Sequence, residues 1–168
     1  MNRRVFLFGL PTAALSAYGY VYHLEPRWLQ ETRKTVETGR RLPRPLRIAH
    51  LSDLHASETV PMAFLEEAFR RTLAMRPDLV CLTGDFVTTD TDFNPARYTE
   101  TLAILTSRCP VFAVTGNHDG GAWAAASGWF ADSSYIRGIL GRAGIRVLQN
   151  EAARVEAAGQ PVSPGLRS

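Results

Sequence analysis

Three short stretches of this chain set acidic, imidazole and amide side chains directly behind an apolar run. Asp53 and His55 follow residues 46–51 in SDLH, Asp85 ends TGD behind residues 78–83, and Asn117, His118 and Asp119 end TGNHD behind residues 110–115. Asp-x-His spacing lets two neighbouring loop residues turn to one side and offer an oxygen and a nitrogen to the same cation. Asp85 adds a carboxylate and Asn117 an amide oxygen. Mixed Asp, His and Asn ligation suits borderline divalent ions such as Mn, Fe or Zn better than an all-oxygen calcium cage. A carboxylate shared between two ions holds them about 3.5–4 Å apart, the spacing of two-metal hydrolysis, and Asp85 is the candidate for that role. Each motif alone has a plainer explanation, since Asp and His after a strand commonly serve as turn and capping residues. Their joint occurrence in this order is what points to a metal centre.

These side chains converge only if the three runs are neighbouring strands. LRIAHL, DLVCLT and PVFAVT are short, apolar and bounded by turn residues, as buried strands are. Helical patterns separate them. Phe64, Leu65, Ala68, Phe69, Thr72 and Leu73 form one stripe of a 3.6-residue period between Pro61 and Pro77, and Tyr98, Leu102 and Leu105 form another behind Pro95. A third helix over Tyr135, Ile136, Ile139, Leu140 and Ala143, capped by Gly144, precedes a fourth strand at 145–148, and residues 151–156 are expected to return as a fifth. Single helices between strands imply right-handed βαβ crossovers and a parallel sheet, an α/β fold whose ligands gather at the carboxyl ends of the strands. Gly84 and Gly116 remove a Cβ where the backbone must bend near the polar groups. This arrangement also excludes a Cys81–Cys109 disulfide: counted back from Asp85 and Asn117 the two are offset by about 13 Å, whereas bridged Cα atoms lie within about 7 Å.

The formal charge of +3 is unevenly spread. Residues 1–47 carry nine Arg/Lys against three Glu, and the rest carries ten Arg against thirteen Asp/Glu, so the body is slightly acidic. With no basic run on the folded part, specific nucleic-acid recognition is not expected. Arg3 and Arg4 precede eighteen uncharged residues, 5–22, the layout of an export signal or a short membrane anchor. The pattern RRVFL is similar to the twin-arginine motif, which implies the twin-arginine export machinery or the inner membrane as a partner and a location in the periplasm or anchored to the inner membrane facing outward. Residues 24–45, rich in charge, Thr and Pro, read as a spacer.

Together, IAHLSDLH, PDLVCLTGDFV and PVFAVTGNHD resemble the first three motifs of the calcineurin-like metallophosphoesterase superfamily, and the RRxFL start, the EPRWL spacer and GIRVLQNEA are similar to its twin-arginine or membrane-anchored bacterial branch. The resemblance implies two divalent metal ions, with Asp53 and His55 on the first, Asp85 shared and Asn117 on the second. It makes His118, held by Asp119, the group that protonates the leaving oxygen or stabilises the phosphorane-like transition state. Its activity would be hydrolysis of a phosphomonoester, phosphodiester or pyrophosphate by a metal-activated hydroxide, with lipid-linked and nucleotide-linked phosphoesters among the substrates of the family.

The family completes its site with later histidines, one alone and a GHxH pair. The four histidines here are His23, His50, His55 and His118. His50, inside the first strand, reads as a packed or hydrogen-bonded core residue. Residues 46–158 therefore match the N-terminal half of the four-layer αββα sandwich, with one sheet face left exposed, and 159–168 read as an irregular tail. The chain is expected to be a truncated or frameshifted product: a phosphoesterase with an incomplete site or, alternatively, a catalytically deficient metal-binding remnant. Trp123, Trp129 and Phe130 either greet an apolar substrate or pack over the neighbouring helix, the second being the simpler reading.

Overall fold

The structure is a computed structural model that describes residues 18–21, 28–37, 39, 43–88 and 94–166. It divides into two units, Met1–Thr38 and Gly39–Ser168. In the first, residues 18–21 are helical and residues 28–37 carry neither helix nor strand. Most of the expected signal or anchor, residues 1–23, lies outside the described residues. Among the described residues no helix is long and apolar enough to cross a membrane.

The second unit is an α/β layer structure. Four strands, β1 (Ile48–Ser52), β2 (Leu79–Thr83), β3 (Val111–Val114) and β4 (Arg146–Val147), form a parallel sheet in the order β1-β2-β3-β4. The crossovers carry α1 (Met62–Ala74), α2 (Pro95–Thr106), α3 (Ala122–Ala126) and α4 (Ser134–Arg142). The helices begin and end where local chemistry dictates. Asn94 caps α2 by accepting the Ala96 and Arg97 amides, with Pro95 in its first turn. Gly144, at φ 77°, closes α4, and the Ile145 amide reaches back to the Leu140 carbonyl in a Schellman-type turn. Register places Ala49, Val80 and Val111 in one row, and Leu51, Leu82 and Ala113 in the next. This face meets Leu65 and Phe69 of α1, Leu102 and Leu105 of α2, and Ile136 and Ile139 of α4 in one buried cluster. At about 1.5–3 kcal/mol for each fully buried Leu, Ile or Phe, this one-sided core orders the strands and so determines which loops become neighbours.

On the opposite face Phe112, Leu148 and Ala153 are buried beneath Val155 and Leu166 beside β3 and β4, and Leu79 at the start of β2 is buried as well. At the β1 edge this face is open, and Ile48 is 54% exposed. Thus β1 alternates between exposed and half-buried residues and is not a fully buried strand. His50 points to the open face, where it is exposed rather than in the core, and its Nε2 pairs with Thr83 Oγ1 at 2.7 Å. Cys81 and Cys109 are free thiols.

The C-terminal stretch departs from expectation. Residues 151–156 do not add a fifth strand to the sheet. They contribute β5 (Glu151–Ala152) and the start of β6 (Val155–Ala157), which pair antiparallel with β8 (Gly165–Leu166) and β7 (Gln160–Val162). Residues 160–166, expected to be an irregular tail, are therefore strand-forming and belong to the compact body. The β6–β7 hairpin turns through Ala158 and Gly159, both at positive φ (60° and 68°), the backbone of a two-residue primed turn. Alanine instead of Asn or Asp at the first turn position, together with Pro161 and Pro164, concealed the hairpin in the sequence.

Candidate metal centre

The carboxyl ends of β1, β2 and β3 bring their loops together. Asp53, His55 and Asp85 each present one ligand atom, and these atoms lie within 4.8 Å of one another. His55 Nε2 faces Asp85 Oδ2 at 3.8 Å. Asn117, exposed, lines the same open cavity of about 760 Å³ as Asp53 and Asp85, which extends past Gly116 toward Asp132 and Gln149.

Backbone conformation is what makes this convergence possible. Asp53, His55 and Asp85 all sit at positive φ, 53°, 44° and 44°. The left-handed region is sparsely occupied by residues with a Cβ, and such conformations cluster at functional sites, where surrounding structure supports their cost. Here parallel pairing continues beyond the strands: the Asp53 amide donates to Thr83 O, His55 N to Asp85 O and Ala56 N to Phe86 O. The loops after β2 and β3 approach just as closely. A Cβ on Gly116 would stand 2.2 Å from Asp85 Oδ1 and 2.8 Å from the Gly84 Cα, so glycine there is a requirement of contact as well as of bending.

Asp119 has a different role from the expected one. It is fully buried, and its two oxygens accept the backbone amides of Phe86 (2.7 Å) and Gly116 (2.8 Å), tying together the loops after β2 and β3. Its carboxyl is pushed up to about 6: burial raises it most, the Gly116 and Phe86 amides oppose this, and the nearby Asp85 charge raises it further. The His118 ring is held instead by Thr88 and by aromatic neighbours. Its Nδ1 lies 3.4 Å from Thr88 O. Trp129 stacks on it at 4.9 Å, Trp123 lies 4.6 Å away, and His55 meets it edge-on at 5.0 Å. Trp123 and Trp129 thus pack on His118 rather than over the neighbouring helix. Phe130 stacks on Tyr135 of α4 and joins the core.

Thr88 is a site residue that its position at the start of a polar loop did not reveal. Its hydroxyl is 3.3 Å from the His55 carbonyl oxygen and 3.4 Å from His55 Nδ1. If the hydroxyl proton goes to the carbonyl, Nδ1–H donates to Oγ1 and the Nε2 lone pair faces Asp85. A carbonyl only accepts, so His118 Nδ1–H donates to Thr88 O and Nε2 is the nitrogen left for exchange. Both tautomers follow from the hydrogen-bond network. Metal-ligating histidines generally donate their other N–H to such a partner. The donor set of two carboxylates and a neutral imidazole nitrogen fits a divalent transition ion or zinc.

The model of the calcineurin-like phosphoesterase family matches residues 46–153. The phosphodiesterase YaeI of Escherichia coli is 31% identical over 154 residues, covering 90% of this chain and 55% of that protein. The UDP-2,3-diacylglucosamine pyrophosphatase LpxG of Chlamydia trachomatis is 34% identical over 109 residues, 64% of this chain and 33% of its own length. A transmembrane protein with metallophosphoesterase domain from Danio rerio is 30% identical over 154 residues, 91% of this chain and 33% of that protein. The chain spans about half the length, or less, of these relatives.

Proposed function

The chain belongs to the calcineurin-like phosphoesterase family, and on that premise we propose that its site hydrolyses a phosphoester with divalent metal ions as cofactors. The observation that carries this reading is the convergence of Asp53, His55 and Asp85 within 4.8 Å. The finer reading is a dinuclear centre: Asp53 and His55 hold one ion, Asp85 is shared, and Asn117 serves the second. Bound divalent ions supply Lewis acidity, lowering the pKa of coordinated water and neutralising phosphate oxygens. The chain's own residues do the rest. Thr88 orients His55 for ligation and, through its carbonyl, holds the His118 Nδ1–H so that Nε2 is the nitrogen that takes up a proton and passes it to the departing oxygen. Asp119 keeps the loops carrying Asp85 and Asn117 in register.

The relatives' names support a phosphodiester or pyrophosphate substrate, and LpxG's supports a nucleotide-linked and lipid-linked one. Arg3, Arg4 and the apolar residues 5–22 support delivery through the export machinery to the periplasm, or anchoring to the inner membrane facing outward.

A second reading is a metal-binding but catalytically deficient chain: the clustered ligand atoms of Asp53, His55 and Asp85 would hold one ion, and Asn117 and the shared Asp85 are the donors proposed for a second. One assay separates the readings. The full chain with Mn²⁺ is tested on bis(p-nitrophenyl) phosphate beside Asp85→Asn and His118→Ala. Hydrolysis lost in both variants supports the enzyme, equal rates in all three refute it, and metal uptake without turnover supports the second reading.

A further inference from the structure

The loop between β3 and α4 brings two indoles to His118 that neither ligation nor loop closure requires. Gly120 and Gly121 line the rim of the cavity holding Asp53, Asp85 and Asn117, and α3 rises directly from them with Trp123 in its first turn. This rim is closely built: a Cβ on Gly120 would stand 2.2 Å from the Asp132 backbone carbon, and the Gly121 amide donates to Ala131 O. The two ends of the loop are therefore pinned to each other, and the indoles are carried on a fixed support. Trp129 is half-buried and stacks within 28° of parallel on the His118 imidazole. Trp123 meets Trp129 edge-on at 5.1 Å and His118 at 4.6 Å, yet stays 48% exposed. An indole half in water beside a polar cluster is a surface on which flat groups stack, at roughly 1–3 kcal/mol for a base or an aromatic ring.

From this arrangement we infer that Trp123, backed by Trp129, forms a subsite for a planar aromatic group on the leaving-group side of the phosphoester. The inference rests on the phosphoesterase reading, in which His118 meets the departing oxygen. The first atoms beyond that oxygen then lie beside the two indoles. A flat ring slides along the open part of Trp123, whereas a small alkyl group covers little of it. The remaining charged and polar groups of the site, Asp53, Asp85 and Asn117, face the phosphate side through the cavity.

Equilibrium binding tests this without turnover. The full chain is loaded with Zn²⁺ and titrated by calorimetry with methylphosphonate, hexylphosphonate and phenylphosphonate. Wild type is expected to bind phenylphosphonate about tenfold more tightly than methylphosphonate, a ratio worth ~1.4 kcal/mol, and more tightly than the flexible hexyl compound. In Trp123→Ala the ratio falls to about one while methylphosphonate affinity stays unchanged, and Trp123→Phe, which keeps a flat ring, retains most of the preference. Zn²⁺ binding by each variant, read in the same instrument, shows that its centre is folded. Equal affinity for all three phosphonates in wild type, hexyl binding as tight as phenyl, or a preference that survives Trp123→Ala overturns the subsite while leaving the phosphoesterase reading intact. Failure of every phosphonate to bind the Zn²⁺-loaded wild type overturns that reading, and the subsite with it.

Discussion

Asp85 Oδ1 accepts the backbone amide of His118 at 2.9 Å, so the carboxylate delivered by the second strand holds the loop that follows the third. The exchange is reciprocal. Asp119 of the third loop accepts the amide of Phe86 in the second. Two carboxylates, one largely buried at the cavity wall and one fully buried, thereby lock the two loops to each other and set the spacing between Asp85 and Asn117. Hydrogen bonds to charged acceptors are stronger than neutral ones, roughly 1.5–3 kcal/mol each, enough to hold backbone in an unfavourable conformation.

Gly116→Ala tests the contact that this lock requires. The added methyl collides with the Asp85 carboxylate and with the backbone of Gly84, and forced overpacking costs about 1–3 kcal/mol. Urea unfolding of the metal-free protein should show a loss of that size, and Mn²⁺ titration should show a large fall in affinity. A variant with wild-type affinity would mean that Asp85 is not held where the ligand set needs it.

Thr88→Val keeps the volume and removes the hydroxyl beside His55. Loss of an outer hydrogen bond to a metal-ligating histidine typically weakens binding about 10- to 100-fold. We expect a fall in that range for Mn²⁺, recovered in Thr88→Ser, with little change in the far-ultraviolet circular dichroism.

Asp53 is exposed and sits at φ 53°. Replacing it with Gly relieves left-handed strain of about 1–2 kcal/mol and removes a negative charge from beside Asp85. The metal-free Asp53→Gly chain should be more stable than wild type by about 1 kcal/mol while binding Mn²⁺ far more weakly. A destabilised variant would show that the strain is not stored at this position.

Asp119 supplies a pH dependence with a definite sign. Its carboxyl stands at about 6 in the folded protein, above the 3.8 of an ordinary Asp. Folding therefore favours the protonated form, and the associated stability is present in full below about pH 4 and lost as pH rises to about 6. Denaturant titrations of metal-free wild type across that window should lose stability of order 2–3 kcal/mol relative to the same series for Asp119→Asn, in which this group does not titrate. Parallel curves for the two proteins would contradict it.

The alternation of apolar runs and amphipathic stripes made the parallel sheet and the three longer of its four crossover helices legible, because strands and helices with one buried face must repeat with their own periods. Asp53, His55 and Asp85 were legible as a convergent set for a related reason: polar residues directly after buried strands emerge on the same side of a parallel sheet. Trp123 and Trp129 were visible as residues but not as neighbours of His118, since nothing in their spacing says which way a loop folds. The hairpin over 155–162 was hidden because its turn uses an alanine in a conformation usually given to Asn, Asp or Gly.

By itself, the sequence of this protein determined the order of its elements, the end of the sheet where polar side chains gather and the types of side chain found there, all consequences of local pattern and of the direction in which parallel strands run. Tertiary structure alone decided that Asp119 would lock two loops rather than hold His118, that Thr88 would join both histidines, and that a pair of indoles would wall the site. Those outcomes depend on how closely separate loops approach once the core beneath the sheet has packed, and a separation in space between residues some thirty positions apart, such as Asp85 and His118, is not encoded in any one segment.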